Sequence, residues 1–200
     1  MSQQLLIAFI VFATAAAFTP GPNNIMLMTS GLNYGFRPSL AHVAGVTIGY
    51  SVLLAVVGLG LGAVFTAYPI LQTILKYVGA AYLIYLAYVI AVSKPADPSE
   101  AAQGRPMTFT SAALFQLVNV KGWVIAVGSV SAYAAITAYP WNMLLLAAII
   151  CVITLASALA WLLMGTALQA LVRSPRAIRI FNVTMAVLLL ASLYPVLMEP

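Results

Sequence analysis

Apolar residues gather into six long runs, at roughly 5 to 32, 39 to 64, 69 to 93, 108 to 135, 141 to 171 and 177 to 198, with short polar breaks between them. Each run is long enough for the roughly 20 residues that carry an α-helix across about 30 Å of hydrocarbon. The pattern predicts an all-α membrane protein of six transmembrane helices. One sustained polar segment, "SKPADPSEAAQGRP" at 93–106, divides the chain almost in half. The expected organisation is a single transmembrane domain over 1–200, with repeat 1 at 1–93, a cytoplasmic loop at 94–107 and repeat 2 at 108–200. An odd number of spans in each half places related halves in opposite orientation, the inverted-repeat plan of many secondary transporters. Two weak correspondences fit this plan: "LKYVG" (75–79) with "IRIFN" (178–182), and "PGPNN" (20–24) with "LVNVKG" (117–122).

Those last two segments interrupt otherwise apolar runs, and both fall near the expected mid-membrane depth of spans one and four. Pro20 and Pro22 have no N–H to offer the carbonyls of Ala16 and Phe18, so helix 1 is expected to break there. The freed carbonyls around residues 16 to 18 could take a ligand ammonium. The N–H groups of Asn23, Asn24 and Ile25 open a new half-helix whose positive end suits a carboxylate. In span four, Gln116 and Asn119 share a helix face, but Lys121 lies roughly 140° round a regular helix from Gln116. The three converge only if helix 4 breaks near Asn119, which Gly122 makes feasible. Candidate substrate-binding residues are therefore Pro20, Gly21, Pro22, Asn23, Asn24, Gln116, Asn119 and Lys121.

Charge sharpens the case for Lys121. The chain's three acids, Asp97, Glu100 and Glu199, all lie outside the expected spans. A lysine at the centre of a span costs about 2.5–3.5 kcal/mol on insertion scales and is normally paired. Its partner must be backbone carbonyls, side-chain amides, water or an anion from outside the protein, and a substrate carboxylate fits. Arg37, Lys94, Arg105, Arg173, Arg176 and Arg179 fall on one side of an alternating six-span arrangement, with at most Lys76 on the other. By the positive-inside rule that side is cytoplasmic and both termini face outward. Tyr68, Tyr139, Trp141 and Tyr194 then mark the outer interface, and Tyr34 and Phe36 the inner one. The formal net charge of +5 is thereby assigned to topology and lipid headgroups, and no nucleic-acid partner is expected.

With 64% hydrophobic and 6% charged residues there is no separate soluble domain to carry an activity. The N-terminal run lacks a basic n-region and continues to Leu32, so it is expected to be a span rather than a cleaved leader. Cys151 is the single cysteine and reads as packing; no metal, cofactor or catalytic residue is expected. His42, the single histidine, opens span two near the cytoplasmic interface as an interfacial hydrogen-bonding group, with proton coupling as its alternative role. The glycine sets Gly45 and Gly49, and Gly58, Gly60 and Gly62, permit close helix contact within one protomer or across a homodimer. An enzyme would need acid–base or nucleophile pairs that the spans do not supply, and a pore would need polar stripes rather than two polar spots. A non-transport membrane subunit or passive facilitator is the remaining alternative.

The segments "FTPGPNNIMLMTSGLNYGFRPSLAHVAGVTIGY" (18–50), "LKYVGAAYLIYLAYVI" (75–90), "FQLVNVKGWV" (115–124) and "IFNVTMAVLLLASL" (180–193) resemble the LysE/RhtB superfamily of bacterial amino-acid exporters. Where that family usually shows Asn-Pro-Lys, this chain has Asn119, Val120 and Lys121, as in the cysteine/O-acetylserine exporter branch that it is most similar to. The resemblance implies secondary active export of small amino acids or derivatives, of cysteine/O-acetylserine or homoserine/threonine type. It further implies transport across the bacterial inner membrane by alternating access, driven by the proton gradient as an antiporter.

Overall fold

The structure is a computed structural model that describes residues 1–61, 67–68, 70–93, 105–171 and 174–194. The loop residues 94–104, and with them Lys94, Asp97 and Glu100, lie outside the described residues, as do Gly62, Arg173 and Glu199. Among the described residues all regular structure is helical. The main helices are α1 (Gln3–Phe18), α2 (Pro22–Tyr34), α3 (Leu40–Val56), α4 (Ile70–Val92), α5 (Phe109–Phe115), α6 (Val120–Tyr133), α7 (Trp141–Leu171) and α8 (Pro175–Ala191).

Three helical stretches are long and apolar enough to cross a membrane: Arg37–Gly60, Thr73–Val92 and Trp141–Gln169. Two further candidates are bent pairs. The segments Gln3–Phe18 and Pro22–Tyr34 meet at 53°, and Phe109–Phe115 and Val120–Ile136 meet at 63°, so the spans number up to five if each pair is counted as one. The sixth expected span corresponds to α8, whose 17 residues fall short of the roughly 20 that a bilayer requires. That span was expected to run to 198, and residues 195–200 lie outside the described ones.

Most of the packing falls on α7, against which α2 and α3 both lie, while α3 also packs on α5 and α4 on α8. Small residues let these backbones touch. A Cβ on Gly31 would collide with the Leu162 carbonyl of α7, and one on Gly165 with the Met28 carbonyl of α2. Gly45 and Gly49 lie in the same way against Phe109 and Ala113 of α5, and Gly58 lies against Met143, so these three glycines serve contacts within the chain. Large apolar side chains are exposed along the outer faces, Val52 on α3, Tyr85 on α4 and Val152 on α7 among them, a surface suited to lipid rather than water. Of the expected outer aromatics, Tyr68, Tyr139, Trp141 and Tyr194 are all exposed.

Candidate functional site

The two bends face each other. At the first, α1 ends at Phe18 and the chain passes through Thr19 and Pro20 to Gly21, the extended N-cap of α2, with Pro22 in the first turn. At the second, α5 ends at Phe115, Gln116 to Val118 form a turn, and Asn119 is the extended N-cap of α6. Across the turn at 116–118 the Asn119 Nδ2 donates to Gln116 Oε1 at 3.3 Å. Gln116 also exchanges two hydrogen bonds with Asn23: Asn23 Nδ2 donates to Gln116 Oε1 at 2.9 Å, and Gln116 Nε2 donates to Asn23 Oδ1 at 3.1 Å. This reciprocal pair ties the first turn of α2 to the end of α5.

The Lys121 side chain crosses from α6 to the first bend. Its Nζ donates to the Thr19 carbonyl at 2.8 Å, with the Pro20 carbonyl at 3.5 Å, and it runs over Gly21, where a Cβ would sit 3.0 Å from both Cδ and Nζ. The lysine is half-buried and lies against the first bend. Of the partners open to it in the sequence, backbone carbonyls are the ones it takes.

The proline-freed carbonyls behave differently from expectation. The Ala17 carbonyl accepts from Asn24 Nδ2 at 2.8 Å and from Ser157 Oγ at 2.8 Å, and the Thr19 carbonyl accepts from Asn24 Nδ2 at 2.9 Å as well as from Lys121. The protein itself therefore satisfies part of the set that the sequence reserved for a ligand ammonium. Only Ala16 and Phe18 keep a proline, which has no N–H, at the position four residues on. The Ile25 N–H is also committed, to the Gly21 carbonyl at 3.0 Å, so the free amides of α2 are those of Asn23 and Asn24.

Formal charge at the site has one sign, that of Lys121, although the carbonyl ends of α1 and α5 also meet there. Ser2, Thr108 and Ser174 cap α1, α5 and α8 with their side chains, whereas neither Gly21 nor Asn119 supplies a side-chain cap to α2 or α6. Two half-helix N-termini, each the positive end of a dipole, are left uncapped around one ammonium. The described residues contain no Asp or Glu to offset them. This arrangement attracts an anion.

Between the bends lies a cavity of about 50 Å³ that is lined by Gly21, Asn23, Asn24, Asn119 and Lys121 and closed on other sides by α1, α3 and α7. Three polar atoms of its lining residues are buried with no hydrogen-bond partner: Asn119 Oδ1, Tyr50 Oη and Thr154 Oγ1. The sequence singled out Asn119 but not Tyr50, Thr154 or Ser157, which look like ordinary polar residues on long helices. His42, expected as an interfacial hydrogen-bonding group, is fully buried within the bundle, with Nδ1 3.0 Å from Ser30 Oγ of α2 and Nε2 unpartnered, and it does not line the cavity.

Comparison with known proteins bears on what this arrangement serves. A cysteine/O-acetylserine efflux protein of Klebsiella pneumoniae is 29% identical over 172 residues, covering 86% of this chain and 87% of that protein. Proteins of the same name from Escherichia coli K12 and Salmonella typhimurium are 34% and 36% identical, over 66% and 60% of this chain. The chain spans 61% of the length of the Salmonella relatives. No solved structure matches the chain. The LysE type translocator family matches residues 14–192, nearly the whole length, and this protein belongs to it.

Proposed function

We propose that the protein is a secondary active exporter of small amino acids or their derivatives, with its substrate site in the cavity between the two bends. The observation that carries this reading is the meeting of the Lys121 ammonium with the uncapped N-termini of α2 and α6 in a protein whose described residues have no carboxylate. A substrate carboxylate completes the set, accepting from Lys121 Nζ and from the amides of Asn23 and Asn24. The unpartnered Asn119 Oδ1 then takes the substrate ammonium, with Ala16 also in the cavity lining.

The way the site is held supports alternating access. Lys121 of the second half grips the Thr19 and Pro20 carbonyls of the first, and a substrate carboxylate competes for the same ammonium. Substrate binding thereby loosens one bond between the halves and makes another. The full proposal is six spans in two inverted repeats, broken at these bends near mid-membrane, with both termini outside the cytoplasm. The names of the relatives suggest cysteine or O-acetylserine as cargo.

One inward proton supplies about 2.3 kcal/mol per 100 mV, enough for roughly a fifty-fold gradient of a zwitterion. Lys121 alone gives the wrong sign for exchange, because its protonation favours carboxylate binding and so couples proton and substrate in the same direction. Antiport needs a second group whose protonation opposes the substrate, and we assign that role to the buried His42–Ser30 pair on α3 and α2. The test of the main reading is efflux from liposomes holding only this protein. Lys121→Gln should insert and fold normally yet lose efflux by about a hundredfold or more, the weight of a charged hydrogen bond plus the carboxylate it leaves unpaired. Efflux at the original rate would end the proposal.

A further inference from the structure

We infer that Tyr50 and Thr154 form a second subsite in this cavity, one that reads the substrate's side chain and selects a short hydrogen-bonding β-substituent: a hydroxyl, a thiol or a small acyl ester. The inference rests on the reading that an amino acid occupies the cavity, and adds what distinguishes one amino acid from another there.

Tyr50 comes from α3 and Thr154 from α7, and both line the cavity. Each is only 7% exposed, yet neither hydroxyl has a partner. For a threonine inside a helix this is unusual, because the carbonyl four residues back is always within reach. Thr29, Thr166, Thr184 and Ser51 all donate to that carbonyl, at 2.8, 2.9, 2.9 and 2.8 Å. Thr47, Ser129 and Thr154 do not, and of these three only Thr154 is a residue of the cavity lining. A buried hydroxyl with neither its local partner nor a neighbour costs free energy that a ligand's polar atom would recover.

The surrounding wall makes the pair selective. One turn before Tyr50 stands Val46, one turn before Thr154 stands Ile150, and Ile125 and Ala158 complete an apolar lining. On this wall the Tyr50 and Thr154 hydroxyls are the ones without a partner, since Ser157 already donates to the Ala17 carbonyl. An alkyl group leaves both unpaired, while a hydroxyl, thiol or ester oxygen satisfies them, and a site built this way discriminates through the polar atoms it would otherwise strand. Lys121 and the two helix N-termini exclude a second positive charge.

The test is counterflow of labelled L-serine and L-alanine, which differ by one hydroxyl, into liposomes holding the full chain. The protein should prefer serine. Tyr50→Phe and Thr154→Val should each lower the serine-to-alanine rate ratio about fivefold, roughly one neutral hydrogen bond's worth. Thr154→Ser keeps the hydroxyl and should keep the ratio, which separates loss of the bond from loss of folding. Equal rates for serine and alanine in the unaltered protein, or an unchanged ratio in Tyr50→Phe and Thr154→Val, would overturn the subsite and leave the exporter reading standing. Counterflow of neither amino acid would overturn both.

Discussion

Far from the cavity, α2 is held at its other end by a second reciprocal amide pair, and breaking it should have a measurable cost. Asn33 Nδ2 donates to Asn182 Oδ1 at 2.9 Å, Asn182 Nδ2 donates back to Asn33 Oδ1 at 3.0 Å, and the same Nδ2 reaches the Ser93 carbonyl at 2.9 Å. Both side chains are fully buried, so water cannot replace what is lost. Asn182→Leu keeps the volume and removes all three bonds. At about 0.6 kcal/mol for each bond between membrane helices the direct loss is roughly 2 kcal/mol. The orphaned Asn33 amide adds about 1 kcal/mol more. The expected destabilisation is about 2–3 kcal/mol, and Asn33→Leu on an Asn182→Leu background should cost far less than on the original chain. A double-mutant cycle read by steric trapping in bicelles should give a coupling near 1 kcal/mol, the share of the two mutual bonds. A coupling below about 0.3 kcal/mol, the usual limit of additivity, would refute the view that this pair ties α2 to α8.

Other consequences are equally open to measurement. Gly165→Val places a branched side chain against the Met28 carbonyl and should abolish the α2–α7 contact, seen as loss of monodisperse protein in detergent. Gly21→Ala pushes only on the flexible end of Lys121, so the variant should fold normally and raise the KM for efflux; an unchanged KM would mean that Lys121 does not meet the substrate. Asn23→Ala removes both reciprocal bonds across the bends while Gln116 keeps its Ala112 and Asn119 partners, and it should weaken transport as much as Gln116→Ala does, with the double variant no worse than either. His42→Gln should preserve counterflow while ending proton-driven accumulation, and accumulation that survives the substitution would remove His42 from the coupling.

What the sequence disclosed and what it concealed have physical reasons. Prolines at 20 and 22 and a polar cluster at 116–122 are conspicuous in apolar runs, because hydrocarbon tolerates neither broken backbone nor stray amides, so both bends could be placed to within a few residues. Lys121 stood out for the same reason. Its acceptors did not, since choosing the Thr19 and Pro20 carbonyls over a side chain depends on how two distant segments pack. Nor did Tyr50, Thr154, Asn33 or Asn182, because a single polar residue on a long helix has a local way to satisfy itself and only tertiary structure reveals when it is not taken. The burial of His42 was hidden as well, because its position in the sequence gives depth along a span and says nothing about which neighbour covers it.

The account turns on a cationic pocket that recognises a carboxylate, and changing the substrate tests this without disturbing the protein. Counterflow of labelled L-serine should be inhibited by excess unlabelled L-serine and left untouched by L-serinamide, which keeps the ammonium and the hydroxyl but carries no negative charge for Lys121 and the two half-helix N-termini. Inhibition by the amide as strong as that by serine itself would contradict the account.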